Sequence, residues 1–399
     1  MPKLVPSLMV GLLLVAKASA QVEYVALPDH SFRAVGADGG RAFGVSGLLP
    51  ALWTRGSGVQ MLSVPPGTNR AFFSMMGMSW DGRHLACTLY IGNSDSQSVA
   101  LWNDLVRVDV GDIPGGGFPR PRAAESGMCG AGNFVIGAGR SEEGLEAFRW
   151  SESTGFVRTG TLDGAGVQAF AASYDAGVLC GFAVAGAGTR PWRWTDAGGH
   201  QLLASLGASG VIRACSADGR IMVGSSGVNN LYTAQRGVIW NGTGTLFELP
   251  QVNGEFVESC TGVSADGRVV VGYTQSDKGI IWDVSSGVRL LRDVAIEQGG
   301  VAIPEIGPAR AISADGRTIV GDGFILRLVS PCAGDVDDGS LSGGRDNVVS
   351  PDDLLAFIEW LVEGNGLADI DNGTGTGTPD AAVNIDDLLY FLQGYEGGC

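Results

Sequence analysis

One nine-residue line, written seven times, limits what this chain can fold into more than any other feature. SADGRIMVG (216–224), SADGRVVVG (264–272) and SADGRTIVG (313–321) are nearly identical, and GADGGRAFG (36–44), SWDGRHLAC (79–87) and SYDAGVLCG (173–181) are looser copies. CGAGNFVIG (129–137) is an eroded one, and successive copies lie 43 to 50 residues apart. Six copies are followed by a short apolar segment ending in Trp53, Trp102, Trp150, Trp194, Trp240 or Trp282, and then by a further apolar stretch such as TLFELP or GVRLLRD. Asp-Gly between apolar runs is a strong hairpin signal, because glycine supplies the positive φ of the turn. Each unit therefore predicts four strands: one before the turn, one after it, a Trp strand and an outer strand.

Four strands in 40 to 50 residues, repeated, is the signature of a β-propeller blade. Glycine at 64 of 399 residues argues against a helical alternative. The expected fold is all-β, a seven-bladed propeller, with six or eight blades the alternatives if the eroded copy at Cys129 is not a true repeat. The last unit stops after GFILRLV (323–329) without an outer strand, while VEYVALP (22–28) is an outer strand without a blade. Pairing the two would close the ring from both termini and leave no open edge. SADGRVVVG followed by a segment such as AFRW, ending at Trp150, resembles the HAF repeat of secreted bacterial proteins. That resemblance covers 22–329 and implies a propeller-like fold with no established activity.

Residues 1–20 have a lysine near the start, an apolar core at 8–15 and Ala18-Ser19-Ala20, the layout of a secretory leader. The apolar core is too short to span a bilayer, and no later segment is long and apolar enough, so no membrane span is expected. The expected division is a leader at 1–20, a propeller at 21–331 and a small C-terminal domain at 332–399, in a secreted, extracellular or envelope-associated protein. The formal charge of −16 is concentrated in the last 68 residues, which hold −13 of it. No basic surface is available for nucleic acid, which is excluded as a partner.

The propeller repeats offer no recognisable catalytic constellation. An Asp before Gly bonds its own turn backbone, so Asp38, Asp81, Asp175, Asp218, Asp266 and Asp315 are expected to be structural. The repeated tryptophans are expected to pack between blades. SADG also departs from the Asp-box of sialidase propellers, since Gly follows Asp directly. His30, His84 and His200 are scattered, with no metal-ligand spacing. No catalytic residue is nominated. Cys87, Cys129, Cys180, Cys215 and Cys260 fall on or beside strands, as small buried residues do.

The tail is different. GDVDDGSLSGGRDNVVSPDDLLAFI (334–358) and ADIDNGTGTGTPDAAVNIDDLLYFL (368–392) repeat one layout at an offset of 34 residues. A hard cation such as Ca2+ takes six to eight oxygens, which a loop with alternating carboxylates can supply. The first loop offers Asp335, Asp337, Asp346, the Val348 carbonyl, Ser350 and Asp353. The second offers Asp369, Asp371, Asp380, the Ala382 carbonyl, Asn384 and Asp387. Two Ca2+ sites are expected, the second weakened by Ala381 where a left-handed residue is wanted. Each loop leads into a helix with an apolar stripe, Leu354, Phe357, Ile358 and Leu361 in the first and Leu388, Phe391, Leu392 and Tyr395 in the second.

This duplicated loop–helix layout resembles a dockerin, most closely the variant that starts with Cys and ends on Gly-Cys. The resemblance implies a cohesin-like receptor, contacted through Pro351-Asp352 and Ile385-Asp386. Cys332 and Cys399 bracket the domain, and a disulfide between them would clasp a domain too small to build much core.

Three functions fit the sequence. The first, preferred, is a non-enzymatic propeller that binds a glycan or protein on one face and is anchored through a calcium-dependent tail. The second is a secreted carbohydrate-active hydrolase or lyase on the same anchor. The third is a structural envelope component. Carboxylates paired over the channel would favour the second, and an aromatic or apolar patch the first.

Overall fold

A computed structural model describes residues 22–91, 96–110, 123–186, 188–207, 209–228, 234–299 and 303–328. Towards the C-terminus it describes 334, 336–337, 341, 349–371, 373 and 380–397. The leader expected at 1–20 lies outside these residues. The chain divides into two compact units, one spanning Val22–Leu328 and one holding the C-terminal residues.

The larger unit is a β-propeller of antiparallel sheets. The fifth repeat shows the plan, with strands Ser209–Cys215, Met222–Gly227, Gln235–Trp240 and Leu246–Glu248 hydrogen-bonded in that order. Met222 pairs with both Cys215 and Trp240, and Trp240 with Leu246. The second to sixth repeats each supply the four strands expected from the sequence.

The Ser-x-Asp-Gly turns satisfy themselves. The Ser216 hydroxyl donates to Asp218 Oδ1 at 2.7 Å, and the same carboxylate oxygen accepts the Arg220 amide at 2.9 Å. Ser216 Oγ also accepts the Ile221 amide. The pattern recurs at Ser79–Asp81, Ser173–Asp175, Ser264–Asp266 and Ser313–Asp315. These aspartates are turn residues; all stand before glycine except Asp175, which precedes Ala176 at φ 58°.

The turns also join one another. The Ala37 amide donates to the Trp80 carbonyl, Trp80 to Gly130, Ala131 to Tyr174, and Tyr174 to Ala217. Ala217 donates to Ala265, Ala265 to Ala314, and Asp315 returns to the Ala37 carbonyl at 3.3 Å. Seven turns thus form a closed circuit of backbone hydrogen bonds.

Among the described residues, the expectation of seven separate blades is corrected to six sheets, one of six strands and five of four. The cause is the N-terminal strand Glu23–Val35, which is thirteen residues long and serves two repeats. Its first part pairs with the last strand, Thr318–Arg327, at Glu23↔Arg327 through Ala26↔Phe324. Its second part pairs with Arg41–Ser46. The first and seventh repeats thereby merge into one sheet. The Leu328 amide donates to the Arg317 carbonyl, so the last strand doubles back at Asp322-Gly323, where Gly323 has φ 84°.

Tryptophans fill the space between sheets. Trp102 and Trp240 are fully buried, and their indole N–H groups donate to the Ser63 and Ala204 carbonyls. Phe43 of the first repeat meets Trp102 of the second edge-on at 6.2 Å. The segment LRDVAIEQG, which follows an outer strand, is a helix not anticipated from the sequence: α1, Leu291–Gly299. Its Leu291, Val294 and Ala295 are buried in the core of the last repeats.

The C-terminal unit holds α2 (Pro351–Glu363), a 3-10 turn (Gly366–Ala368) and α3 (Ile385–Gly397). Ser350 caps α2 in a capping box with Asp353. Phe357 and Phe391 stack at 4.1 Å with Ala356, Trp360 and Ala368 around them. The expected stripe on α2 is corrected at one place: Ile358 is 44% exposed, and Ala356 and Trp360 face the core. Packing centres on the Phe357–Phe391 stack, which turns α2 so that Ile358 faces outward.

Candidate functional site

Five propeller inner strands carry an irregularity at the same place, three residues before the Ser position of the repeat. Register shifts occur between Phe32 and Ala34, Ala169 and Ala171, Ile212 and Ala214, Cys260 and Gly262, and Ala309 and Ala311. A β-bulge of this kind re-aims one side chain out of the ladder. The residues so placed are Arg33, Phe170, Arg213, Thr261 and Arg310, and all line one cavity of about 440 Å³ on the propeller axis. Met76, at the same sequence offset in the second repeat, lines it too, although it stays paired with Cys87 in its ladder.

Below this crown the next residue in each lining strand is small: Ala34, Gly77, Ala171, Ala214, Gly262 and Ala311. Small residues there leave the cavity open. Trp80, from the circuit of turns, lines both this cavity and a surface pocket that includes Tyr174. The two rings lie 4.7 Å apart over Gly130, where any Cβ would strike both.

The arginines are held in place. Asp322 Oδ2 accepts from both Nε and an Nη of Arg310, and Asp322 Oδ1 lies 3.2 Å from Arg33 and accepts from Ser31. Burial pushes the Asp322 carboxyl upward, but the Ser31 hydrogen bond and the Arg33 and Arg310 charges reverse that, leaving it below the usual range. Arg33 is lowered to about 10, first by burial, with Asp322 opposing and Arg310 reinforcing. Arg310 lies over Tyr273 at 4.9 Å, and Arg213 over Phe170 at 5.2 Å. No carboxylate is among the described residues lining the axial cavity. A smaller side pocket of about 180 Å³ shares Arg213, Ser259 and Tyr273 with it and adds Glu258. Burial and the neighbouring Asp277 raise the Glu258 carboxyl.

This crown was missed in the sequence, although a signal was there. FRAVGADG, IRACSADG and ARAISADG place arginine at one offset from the turn.

In the C-terminal unit, Asp353 Oδ1 accepts the Val336 and Asp337 amides, and its Oδ2 accepts Ser350. Asp387 repeats this with Ile370, Asp371 and Asn384. Both carboxylates are fully buried, and Asp337 and Asp371 are nearly so. In the second loop Asp369 accepts the Asp380 and Ala381 amides, and Asp380 accepts that of Ala382. Ala381 takes the left-handed φ of 67° despite its Cβ. The Asn384 side chain caps α3 through the Asp386 amide. Asp335, Asp346, Val348, Cys332 and Cys399 lie outside the described residues. Pro351, Asp352, Ile385 and Asp386 are exposed in the first turns of α2 and α3. Cys87, Cys129, Cys180, Cys215 and Cys260 are free thiols, all buried except the half-buried Cys215. No helix among the described residues is long and apolar enough to cross a membrane.

No family model and no curated protein sequence matches the chain. Solved structures do resemble it. TolB from Acinetobacter baumannii is 13% identical with a TM-score of 0.41, over 74% of this chain and 65% of that one. The Cps50 (Swd1) β-propeller domain from Myceliophteria thermophila is 15% identical with a TM-score of 0.49, over 77% of this chain and all of its own. The chain thus spans about two thirds of the TolB structure. The fold assignment rests on the strand pairing.

Proposed function

We propose that this is a secreted, non-enzymatic ligand-binding propeller, of HAF-repeat type, displayed or assembled through a calcium-dependent dockerin-like C-terminal domain. The observation that carries the binding reading is the axial cavity: arginines and aromatic rings line it, and no described carboxylate does. Glycosidic hydrolysis ordinarily needs two carboxyl groups flanking the bond. Binding needs only complementary charge and apolar faces. That contrast favours a binding protein over a hydrolase.

The calcium reading is supported by the duplicated hydrogen bonding of Asp353 and Asp387. Six backbone amides hold these two carboxylates in the same pose 34 residues apart. The chemistry of the donor set fits a hard cation. Asp369, Asp371, Asp380 and Asp387 would supply the second site, with Asn384 and the Ala382 carbonyl. Asp337, Ser350 and Asp353 would contribute to the first. Bound Ca2+ would draw these carboxylates together, neutralise them and fix the loops.

Docking to a cohesin-like receptor is supported by an exposed apolar row on α2. Leu355, Ile358 and Val362 are 64%, 44% and 81% exposed, and on α3 Ile385 and Leu389 are likewise open. Monomeric proteins seldom leave such rows uncovered.

Two measurements test the proposal on the full-length chain. Calorimetric titration with Ca2+ should give two binding events, and cohesin capture should require Ca2+. Incubation with a polysaccharide panel should give retention without new reducing ends. Capture that persists in excess chelator would sink the anchor, and released sugar would overturn the binding reading.

A further inference from the structure

We propose that Cys180 and Cys215 are a modification site, oxidised by a small diffusible disulfide to a cystine that staples the fourth repeat to the fifth beside the axial cavity. The staple needs neither a bound ligand nor the C-terminal anchor.

Repeat symmetry places the two sulfurs together. Cys180 holds the eighth position of the nine-residue line, and Cys215 the position just before the next copy. At each of the seven joints these two positions share one buried cluster, as Phe43 does with Met78, Val223 with Val263 and Val271 with Ile312. Only the joint between the fourth and fifth repeats has cysteine at either position, and it has cysteine at both. Elsewhere the contact is apolar packing. Here it brings two thiols together.

Disulfide formation needs Cα atoms no more than about 7 Å apart, and the joint is tight at this radius. Strands Val178–Ala185 and Ser209–Cys215 approach within 8 Å, Cα to Cα. The Tyr174 amide, in the hairpin that leads to Cys180, donates to the Ala217 carbonyl at 2.8 Å. That bond pins the two backbones just beyond Cys215. At the equivalent radius in the sixth and seventh repeats, a Cβ at Gly262 would come within 3.1 Å of the Ile312 amide nitrogen. The Cys180 and Cys215 thiols are hydrogen-bonded to each other, and that bond, ahead of burial, holds the Cys180 proton above its ordinary range.

Access divides the chemistry between the two. Cys215 is half-buried and lines the axial cavity of about 440 Å³, whereas Cys180 is fully buried. The Cys215 thiolate attacks one sulfur of a small disulfide in the cavity, and the other sulfur leaves as a thiolate. Cys180 then attacks Cys215 Sγ and expels the second sulfur, its own proton passing to that leaving thiolate. The cysteine pair gives up two electrons, which reduce the incoming disulfide to two thiols. Cys87, Cys129 and Cys260 lie in three other clusters and do not compete.

The test is incubation of the full-length protein with oxidised glutathione, then acid quenching, blocking of free thiols and tryptic mapping without reduction. The peptide holding Cys180 should be joined to that holding Cys215, lighter than their sum by two hydrogens. The melting transition of the propeller should rise by about 5 °C over the reduced protein. Protein kept reduced should show no linked peptide. Cys180→Val and Cys215→Val install the residues found at these positions as Val223 and Val263, and each should lose both the linked peptide and the melting shift. Mapping of the wild-type chain decides the matter even where a variant folds poorly. The proposal is overturned if no Cys180–Cys215 peptide forms, if Cys215 stops at the glutathione adduct, if Cys180 pairs elsewhere, or if the linked protein melts no higher.

Discussion

Asp322 accepts two hydrogen bonds from Arg310 through one carboxylate oxygen, at 2.9 and 2.7 Å. Its other oxygen meets Arg33 and Ser31, and Ser31 is 291 residues away in sequence. One side chain therefore fixes two arginines of the crown and clasps the first repeat to the last. Asp322→Asn should cost about 2 kcal/mol in urea unfolding, since it weakens charge-assisted bonds and leaves two like charges adjacent. The folded-state pKa of Asp322 is depressed. Its contribution is complete above the unfolded-state value and is lost as pH falls through the folded-state value. The stability difference between wild type and variant should therefore shrink below the usual carboxylate range, as urea midpoints across acid pH would show.

The turn aspartates should behave as structural residues. Asp218→Ala removes the acceptor of the Ser216 hydroxyl and the Arg220 amide, and should cost about 1 kcal/mol. Ligand retention should be unchanged. A variant that kept its stability but lost binding would contradict this.

Gly224 is where a close approach demands glycine. The bulged inner strand brings the Val211 carbonyl to the place a Cβ would occupy. Gly224→Ala should destabilise by about 2 kcal/mol or more, measured by thermal melting. It should also weaken ligand retention, because relieving the clash moves a bulge that lines the axial cavity. Asp218→Ala and Gly224→Ala thus separate stability from site geometry.

Burial pushes the Cys87 and Cys260 thiols well above their ordinary range and raises Cys129, while Cys180 is raised first by its hydrogen bond with Cys215 and then by burial. Native alkylation at neutral pH, read by mass spectrometry, should modify Cys215 first among these five. Fast labelling of Cys87 would indicate an opening of the second repeat.

The calcium reading predicts unequal effects in the tail. Asp369→Asn combined with Asp371→Asn should abolish one binding event in calorimetry and leave the other. Loss of both events at once would show instead that the loops form a single cooperative site.

Much of the architecture was legible because each repeat states its own strands. Hydrophobic runs either side of Ser-x-Asp-Gly locate the inner hairpin, and Trp marks the third strand. The sheet count was less legible. A thirteen-residue strand can serve two repeats at once, and no local pattern in VEYVALP announces that. Helix α1 was hidden because GVRLLRD reads as a strand before it becomes the first turn of a helix. The arginine crown escaped for a different reason. In a regular strand, alternation assigns each residue to one face, and bulges break that alternation where Arg33, Arg213 and Arg310 stand. On α2, spacing located the apolar stripe, but the Phe357–Phe391 stack decided which of its residues face inward.

The seam has a consequence for how the molecule is made. Strand Glu23–Val35 is synthesised first, and its partner Thr318–Arg327 is the final strand of the propeller to be translated. Until then the nascent chain is an arc with an unpaired edge at each end, the state most open to pairing with a neighbour. Closure is therefore a check on the propeller's own length: a ribosome that stops before Arg327, or a chain clipped within the strand Glu23–Val35, yields an arc that cannot be sealed.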